Sequence, residues 1–381
     1  MLLPPWQNTE DAGLRCEENG VTVENISLPR PFPGLFQGVT ALRLTRRALA
    51  LRPDVVHLFK PKAYSGLTHW LLMRLPRGGR PRLVVDSDDW EGPGGWNELA
   101  GYTPAQRRLF AWQERWGLTH ADAVTVASRA LESLVWATGV PPERVFYVPN
   151  GVGETEWTGN ADARSEEPCR VVPAPCILLY TRFFEFPVSR VIEVFQRVRG
   201  WAPEARLLVV GEGLFGEEDE LFQLAARSGW TVARPVLRAA DGASDGAAGL
   251  ADATSDVIYA GWVPLEMLPY YFAQADVAIY PFDDTLINRT KCAVKLRDLL
   301  AAGLPVVAEA VGQNREYIRH GETGLLVEPR DVSAFADAVR RLVRDRSLRK
   351  RLGQAAARHV RKRFAWEKLV DTVERAYGVR S

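Results

Sequence analysis

The chain has 381 residues, more than one hydrophobic core usually serves, so two domains are expected. Its 46% hydrophobic and 25% charged residues mark an ordinary globular protein, and a formal net charge of +1 excludes a nucleic-acid binder working through a broad basic field. No stretch approaches about 18 uninterrupted apolar residues and no leader pattern opens the sequence, so a cytoplasmic protein without a transmembrane segment is expected.

In chain order, the first informative segment is PDVVHLFKPKAYSG. His57 ends its apolar run and precedes Lys60, Lys62 and Tyr64. This spacing puts His57 at the carboxyl edge of a strand, where open parallel sheets bind ligands; a structural histidine is the plainer alternative. The strand RLVVD (82 to 86) comes next, and Asp86, Asp88 and Asp89 follow at once, before a loop rich in Gly and Trp. Carboxylates so close repel one another, a cost tolerated for a ligand or a shifted pKa, although one of them could simply cap a helix. Trp90 and Trp96 suit either a sugar platform or core packing. DAVTVAS (122 to 128) and RVFYVP (144 to 149) read as further strands.

From Gly151 to Pro175 the pattern turns polar and rich in Gly and Pro. This predicts a linker at 156–175 between a first domain, 1–155, and a second, 176–364. CILLY, RLLVV, DVIYAG, DVAIY and PVVA then alternate with helical patterns, which means a parallel sheet with helices on both faces. Gly211, Gly213 and Gly216 spell G-x-G-x-x-G after RLLVV, but the acidic residue a dinucleotide site needs about 20 residues later is absent. Residues 239–256 look like a flexible surface insertion. Cys16, Cys169, Cys176 and Cys292 form no C-x2-C pair and the five histidines are scattered, so neither a zinc site nor a disulfide framework is indicated.

The run TKCAVKLRDLLAAGLPVVAEAVGQNREYI, Thr290 to Ile318, is the richest in chemistry. Cys292, Leu296, Leu299 and Leu300 recur at helical spacing as a buried stripe, and Gly303 ends that helix. Lys291, Lys295 and Asp298 would share a neighbouring face. Two cations and one carboxylate suit a diphosphate and a ribose diol; a solvated helix surface is the alternative. Arginine outnumbers lysine 41 to 7, yet four of the seven lysines are Lys60, Lys62, Lys291 and Lys295. Two or three amphipathic helices follow from Val332 to Gly378, and their basic run RSLRKRLGQAAARHVRKR reads as a solvated face rather than a membrane anchor.

Together these segments resemble the retaining GT-B glycosyltransferases of family four. ADAVTVAS with RVFYVPNGV is similar to the end of that family's first domain, and CILLYTRF, RLLVVGEG, VIYAGWVPLEMLPYYFAQADVAIYPF and the Thr290 run follow its second-domain order. The resemblance implies two Rossmann-like domains with parallel sheets facing across a cleft, and a C-terminal helix, 365–381, packing back on the first. It implies transfer of a sugar from a nucleotide-diphosphate sugar to a hydroxyl acceptor, with retention, no metal and no cofactor.

The acceptor would be a glycan, a small glycoside or a lipid-linked molecule, with peripheral membrane contact at the inner face. By resemblance Arg182 contacts the diphosphate, Asp298 the ribose hydroxyls, and Glu316, Gly312, Gly211 and Gly213 line the donor site; His57 and Asp88 lie on the acceptor side. Thr290 replaces the family's first glutamate and Pro187 its lysine. Asp283 or Asp284 would then hold the sugar, and Lys291 and Lys295 the diphosphate. These departures also motivate an alternative, a catalytically weak homologue that binds nucleotide or glycan for a partner enzyme; a sugar-nucleotide epimerase is a third. The family's opening βα unit, roughly 30 residues, is expected to have no counterpart here, unless MLLPPW is its strand and Thr9 to Asn19 its helix.

Overall fold

The computed structural model describes residues 1–5, 8–29, 35–153, 157, 170–234 and 252–379. Most of the expected linker, the insertion up to residue 251, and Cys169 lie outside the described residues. The chain divides into two compact units. Met1–Pro149, Thr290–Cys292 and Leu369–Ser381 make the first; Asn150–Arg289 and Ala293–Lys368 make the second.

In the first unit, a small sheet pairs β1 (Leu2–Leu3) parallel and β2 (Arg15–Glu18) antiparallel with β3 (Val21–Asn25). The compressed helix over Thr9 to Asn19 is therefore replaced by one 3-10 turn, Thr9–Asp11, and a strand. The main sheet is parallel and ordered β4 (Val55–Phe59), β5 (Arg82–Ser87), β6 (Ala123–Val126), β7 (Val145–Tyr147). Leu83, Val84, Val85, Val124 and Val126 are fully buried, as strands covered on both faces require.

The helices of this unit are α1 (Phe36–Ala50), α2 (Ala63–Met73), α3 (Trp96–Leu99), α4 (Pro104–His120) and α5 (Arg129–Ala137). Thr103 and Gln106 close a capping box at the start of α4, with Pro104 in its first turn.

The second unit holds a seven-stranded parallel sheet of β8 (Cys176–Tyr180), β9 (Arg206–Val210), β10 (Val232–Ala233), β11 (Val257–Gly261), β12 (Val277–Tyr280), β13 (Val306–Glu309) and β14 (Leu325–Val327). Its order is β10-β11-β9-β8-β12-β13-β14, so the chain steps outward from β8 to one side and later returns to the other. Its helices are α6 (Val188–Arg199), α7 (Glu217–Arg227), α8 (Leu268–Ala273), α9 (Leu286–Thr290), α10 (Val294–Ala301), α11 (Asn314–Tyr317), α12 (Val332–Arg344) and α13 (Arg346–Arg363). In α6, Val191, Val194, Phe195 and Val198 point into the core at helical spacing. The last helix, α14 (Trp366–Tyr377), ends against the first unit's sheet, where Ala376 packs with Val84 and Ala123.

The expected helix after Thr290 starts later. Ser128 Oγ donates to the Thr290 carbonyl at 2.5 Å, and α10 begins only at Val294. Ala293, at φ −78° and ψ 70°, lies outside the helical region and sets that start. The apolar stripe survives, with Leu296, Leu299 and Leu300 fully buried and Cys292 5% exposed. Lys291, however, is off the helix and so does not share a face with Lys295 and Asp298.

Candidate functional site

The strand order of the second unit reverses between β8 and β12, and open parallel sheets bind ligands at the carboxyl ends of strands beside such a switch. The residue leaving β8 is Tyr180, followed by the exposed Arg182. Lys295, in the first turn of α10, holds its ammonium 5.0 Å from the centre of the Tyr180 ring. Asp298, one turn further on and 3% exposed, accepts from Arg297 Nε at 3.0 Å on the same oxygen that Arg297 Nη2 reaches.

Burial pushes the Tyr180 phenol up to about 12; Asp298 adds to the shift, while Arg297 and Arg182 oppose it. Lys295 thus lies over the Tyr180 ring, and the charges of Asp298, Arg297 and Arg182 act on its phenol. Tyr180 and Arg297 were not legible as site residues: one closes an apolar strand and the other sits among many arginines.

Backbone approach explains the glycines. Gly211 has φ +122° and its amide donates to Gly261 O at 2.8 Å; a Cβ there would lie 1.9 Å from the Thr181 carbonyl. The β9 exit thus lies against the turn that carries Arg182. Gly312, at φ +48°, faces the Arg289 backbone, where a Cβ would come within 2.7 Å of the carbonyl. Gly213 donates its amide to Glu218 Oε2 at 3.0 Å. Glu316 is half-buried on α11.

The acidic pair after β12 is already engaged. Arg190 Nη2 donates to Asp283, and Arg190 Nη1 to both oxygens of Glu309 at 2.8 and 2.7 Å. Glu309 is 1% exposed and also accepts from the amides of Phe282 (2.5 Å) and Arg330 (2.6 Å). One buried carboxylate at the end of β13 thereby ties together the loops leaving β12 and β14. Asp284 is bound by Arg289, with Nη2 at 2.7 Å, which holds its carboxyl below the usual range. Glu309 escaped notice in the sequence because it closes an apolar strand.

In the first unit His57 is the central residue of β4 rather than its carboxyl end. Its Nδ1 lies 3.0 Å from Tyr377 Oη and its Nε2 lies 3.2 Å from Thr125 Oγ1, while the Thr125 hydroxyl donates to Asp86. With that proton committed, Nε2 is the donor and Nδ1 accepts from Tyr377. Burial lowers the His57 pKa to about 4 and raises that of Asp86 to about 7.

At the carboxyl edge, Lys60 reaches Asp89 at 3.0 Å and Asp88 at 3.4 Å. The Asp88 carboxyl is raised by burial, and nearby Asp89 adds to the shift. Trp90, 8% exposed, donates to the Pro93 carbonyl of its own loop and belongs to the core. Lys291 sits in the segment that groups with this unit.

Glu114 of α4 is 1% exposed, and burial, reinforced by the charge of Glu91, lifts its pKa from 4.5 to about 8. Between those values the folded form binds more protons than the unfolded one. Stability should therefore fall as pH rises through this window, by up to roughly 1.4 kcal/mol per unit. Glu114→Gln should flatten that slope in urea unfolding measured from pH 5 to 9, and parallel curves for the two proteins would refute it.

Residues 4–151 match the family described as Glycosyl transferase 4-like domain, and residues 175–345 match Glycosyl transferases group 1. A D-inositol 3-phosphate glycosyltransferase of Acidothermus cellulolyticus is 29% identical over 272 residues, 68% of this chain and 54% of that protein. A GDP-mannose-dependent alpha-(1-6)-phosphatidylinositol monomannoside mannosyltransferase of Mycobacterium tuberculosis is 28% identical over 263 residues, 65% of this chain and 59% of its own length. The chain thus spans little more than half of these relatives.

Among solved structures, sucrose-phosphate synthase from Thermosynechococcus elongatus shares the fold at TM-score 0.64 and 20% identity, covering 96% of this chain and 85% of its own. Anabaena HepE, in complex with UDP and glucose, does so at 0.65 and 16%, covering 95% and 87%. With both halves matched in order and the fold shared along nearly the whole length, the chain belongs to the group 1 glycosyltransferases of the GT-B type, family four.

Proposed function

We propose that this protein transfers a sugar from a nucleotide-diphosphate sugar to a hydroxyl acceptor, with retention and without a metal. The observation that carries this reading is the Lys295 ammonium over the Tyr180 ring at the switch point of the second sheet, with the charges of Asp298 and Arg182 acting on the same phenol. A carboxylate offers about four lone-pair sites, so Asp298, oriented by Arg297, suits a ribose hydroxyl as a further donor. Arg182 and Lys295, both of the second unit, suit the diphosphate. As the bond to the sugar breaks, charge grows on the departing phosphate oxygen. Fixed cations stabilise that charge, and the same oxygen takes the acceptor's proton. Glu316, Gly312, Gly211 and Gly213 shape the donor side, while Asp88, near Lys60, serves the acceptor side. The solved relative with UDP and glucose bound supports a nucleotide-sugar donor.

The test is a screen of the purified protein with radiolabelled UDP-, GDP- and ADP-sugars, scored for transfer and for slow hydrolysis. Product with retained anomeric configuration in the presence of a chelator is the expected result, and silence with every donor would overturn it. A second reading, nucleotide binding without turnover, is favoured by one observation: Thr290 replaces the family's glutamate, and its two candidate substitutes are already engaged, Asp283 by Arg190 and Asp284 by Arg289. Calorimetry separates the two, since binding of a nucleotide without any product selects the second.

A further inference from the structure

We propose that the outer face of α13, Arg346–Arg363, expected from its sequence to be only a solvated face, docks the protein on the surface of an anionic phospholipid bilayer. This inference does not depend on sugar transfer. The helix has 18 residues and not one Asp or Glu. One side of it is buried through Leu348, Leu352, Ala356 and Val360, so its orientation on the second unit is fixed. Arg349 and Arg361 turn inward. Arg349 donates to the Leu342 and Val343 carbonyls at 2.8 and 2.6 Å, and Arg361 to the Ala301 carbonyl at 3.1 Å. The other cations, Arg346, Lys350, Arg351, Arg358, Lys362 and Arg363, are all exposed. No ion pair among the described residues engages any of these six.

Arg346, Lys350, Arg358 and Lys362 recur at multiples of four positions with the exposed Gln354 between them; each four-residue step turns about 40° past a full turn, so they wind gradually across the solvent-facing half of a rod about 27 Å long. Charge is also segregated along the chain. Of its 48 Lys and Arg and 47 Asp and Glu, residues 315–368 hold 15 and 7, so the remainder is net acidic. A formal charge of +1 therefore conceals a strongly basic end.

Clusters of four to eight basic side chains are drawn to an anionic leaflet, and the attraction acts within a Debye length, about 10 Å at 0.1 M salt. The shape favours a bilayer over a nucleic acid. The apolar stripe is occupied by the protein's own core, so the cations lie on a supported face rather than on an element that could enter a groove. No Phe, Tyr or Trp is interleaved among them to stack on bases, and the His359 ring is set edge-on to Phe364. Trp366, 38% exposed, stands three residues past Arg363, and tryptophan favours the headgroup region.

The experiment is vesicle flotation of the full chain with phosphatidylcholine alone and with phosphatidylcholine mixed with phosphatidylglycerol. Partitioning only to the mixed vesicles, and its loss at high salt, is expected. The variant Arg346→Glu/Lys350→Glu/Arg358→Glu/Lys362→Glu should reduce partitioning at least about 100-fold. Arg108→Glu/Arg115→Glu, on exposed positions of α4, should leave it unchanged. Thermal melts of the fourfold variant show whether it is folded; if it is not, the single reversals Lys350→Glu and Lys362→Glu are read instead. Equal binding to neutral vesicles, no binding to either, undiminished binding by folded variants, or preferential capture of single-stranded DNA over the mixed vesicles would each overturn the proposal.

Discussion

Replacing Arg182 with alanine is expected to lower kcat/KM for the sugar donor by about 100- to 1000-fold, the usual cost of removing one group that stabilises a developing oxyanion. The side chain is exposed, so stability should change by no more than about 0.5 kcal/mol. Steady-state kinetics with the donor found by the screen, alongside a urea titration, reads both quantities. On the proposed mechanism most of the loss should fall on kcat, because the charge assigned to Arg182 would be largest when the bond to the diphosphate is breaking. Arg182→Lys should recover part of it, since it restores a point charge without the fork of a guanidinium. A variant with unaltered kcat would remove Arg182 from the reaction.

Arg190→Met should act in the opposite way, through stability. Arg190 meets Asp283 and Glu309 inside the second unit, and Glu309 is 1% exposed. Removing the guanidinium leaves a buried carboxylate without its counter-charge, which typically costs about 3–5 kcal/mol. The loops leaving β12 and β14 depend on Glu309 through the amides of Phe282 and Arg330, so donor affinity should fall as well. The double variant Arg190→Met/Glu309→Gln should be more stable than Arg190→Met alone, because it no longer buries an unpaired charge. Equilibrium unfolding of the two single variants and the double tests this. Additive losses would mean that the pair is not coupled.

Much of the fold was legible because its signals are local. CILLY and RLLVV became β8 and β9 without a shift at either end, as expected for short apolar runs buried on both faces. Leu296, Leu299 and Leu300 announced the buried side of α10, and Gly303 its end, at φ +74°. What failed depended on partners distant in sequence. The start of α10 was misplaced, and Thr290 instead gives its carbonyl to Ser128, 162 residues away. His57 was expected at a strand edge, yet Tyr377, 320 residues later, and Thr125 hold it within the sheet.

By itself the sequence determined the parallel α/β class, the order of the strands, the family, and the chemical types gathered after β8 and along α10. The class, the strands and the charges along α10 follow from spacing within a few residues, through apolar runs, helical periodicity and glycine stops, whereas the family and the place of Arg182 were read by resemblance. Which charges are engaged was decided only by the tertiary structure. Asp283 and Asp284 were equivalent candidates as letters, but folding gave one a buried arginine and the other an exposed one. Asp298 and Lys295, meanwhile, were brought to Tyr180. The physical reason is that an ion pair or a desolvated carboxylate depends on through-space distance and burial, which the linear order of residues does not encode.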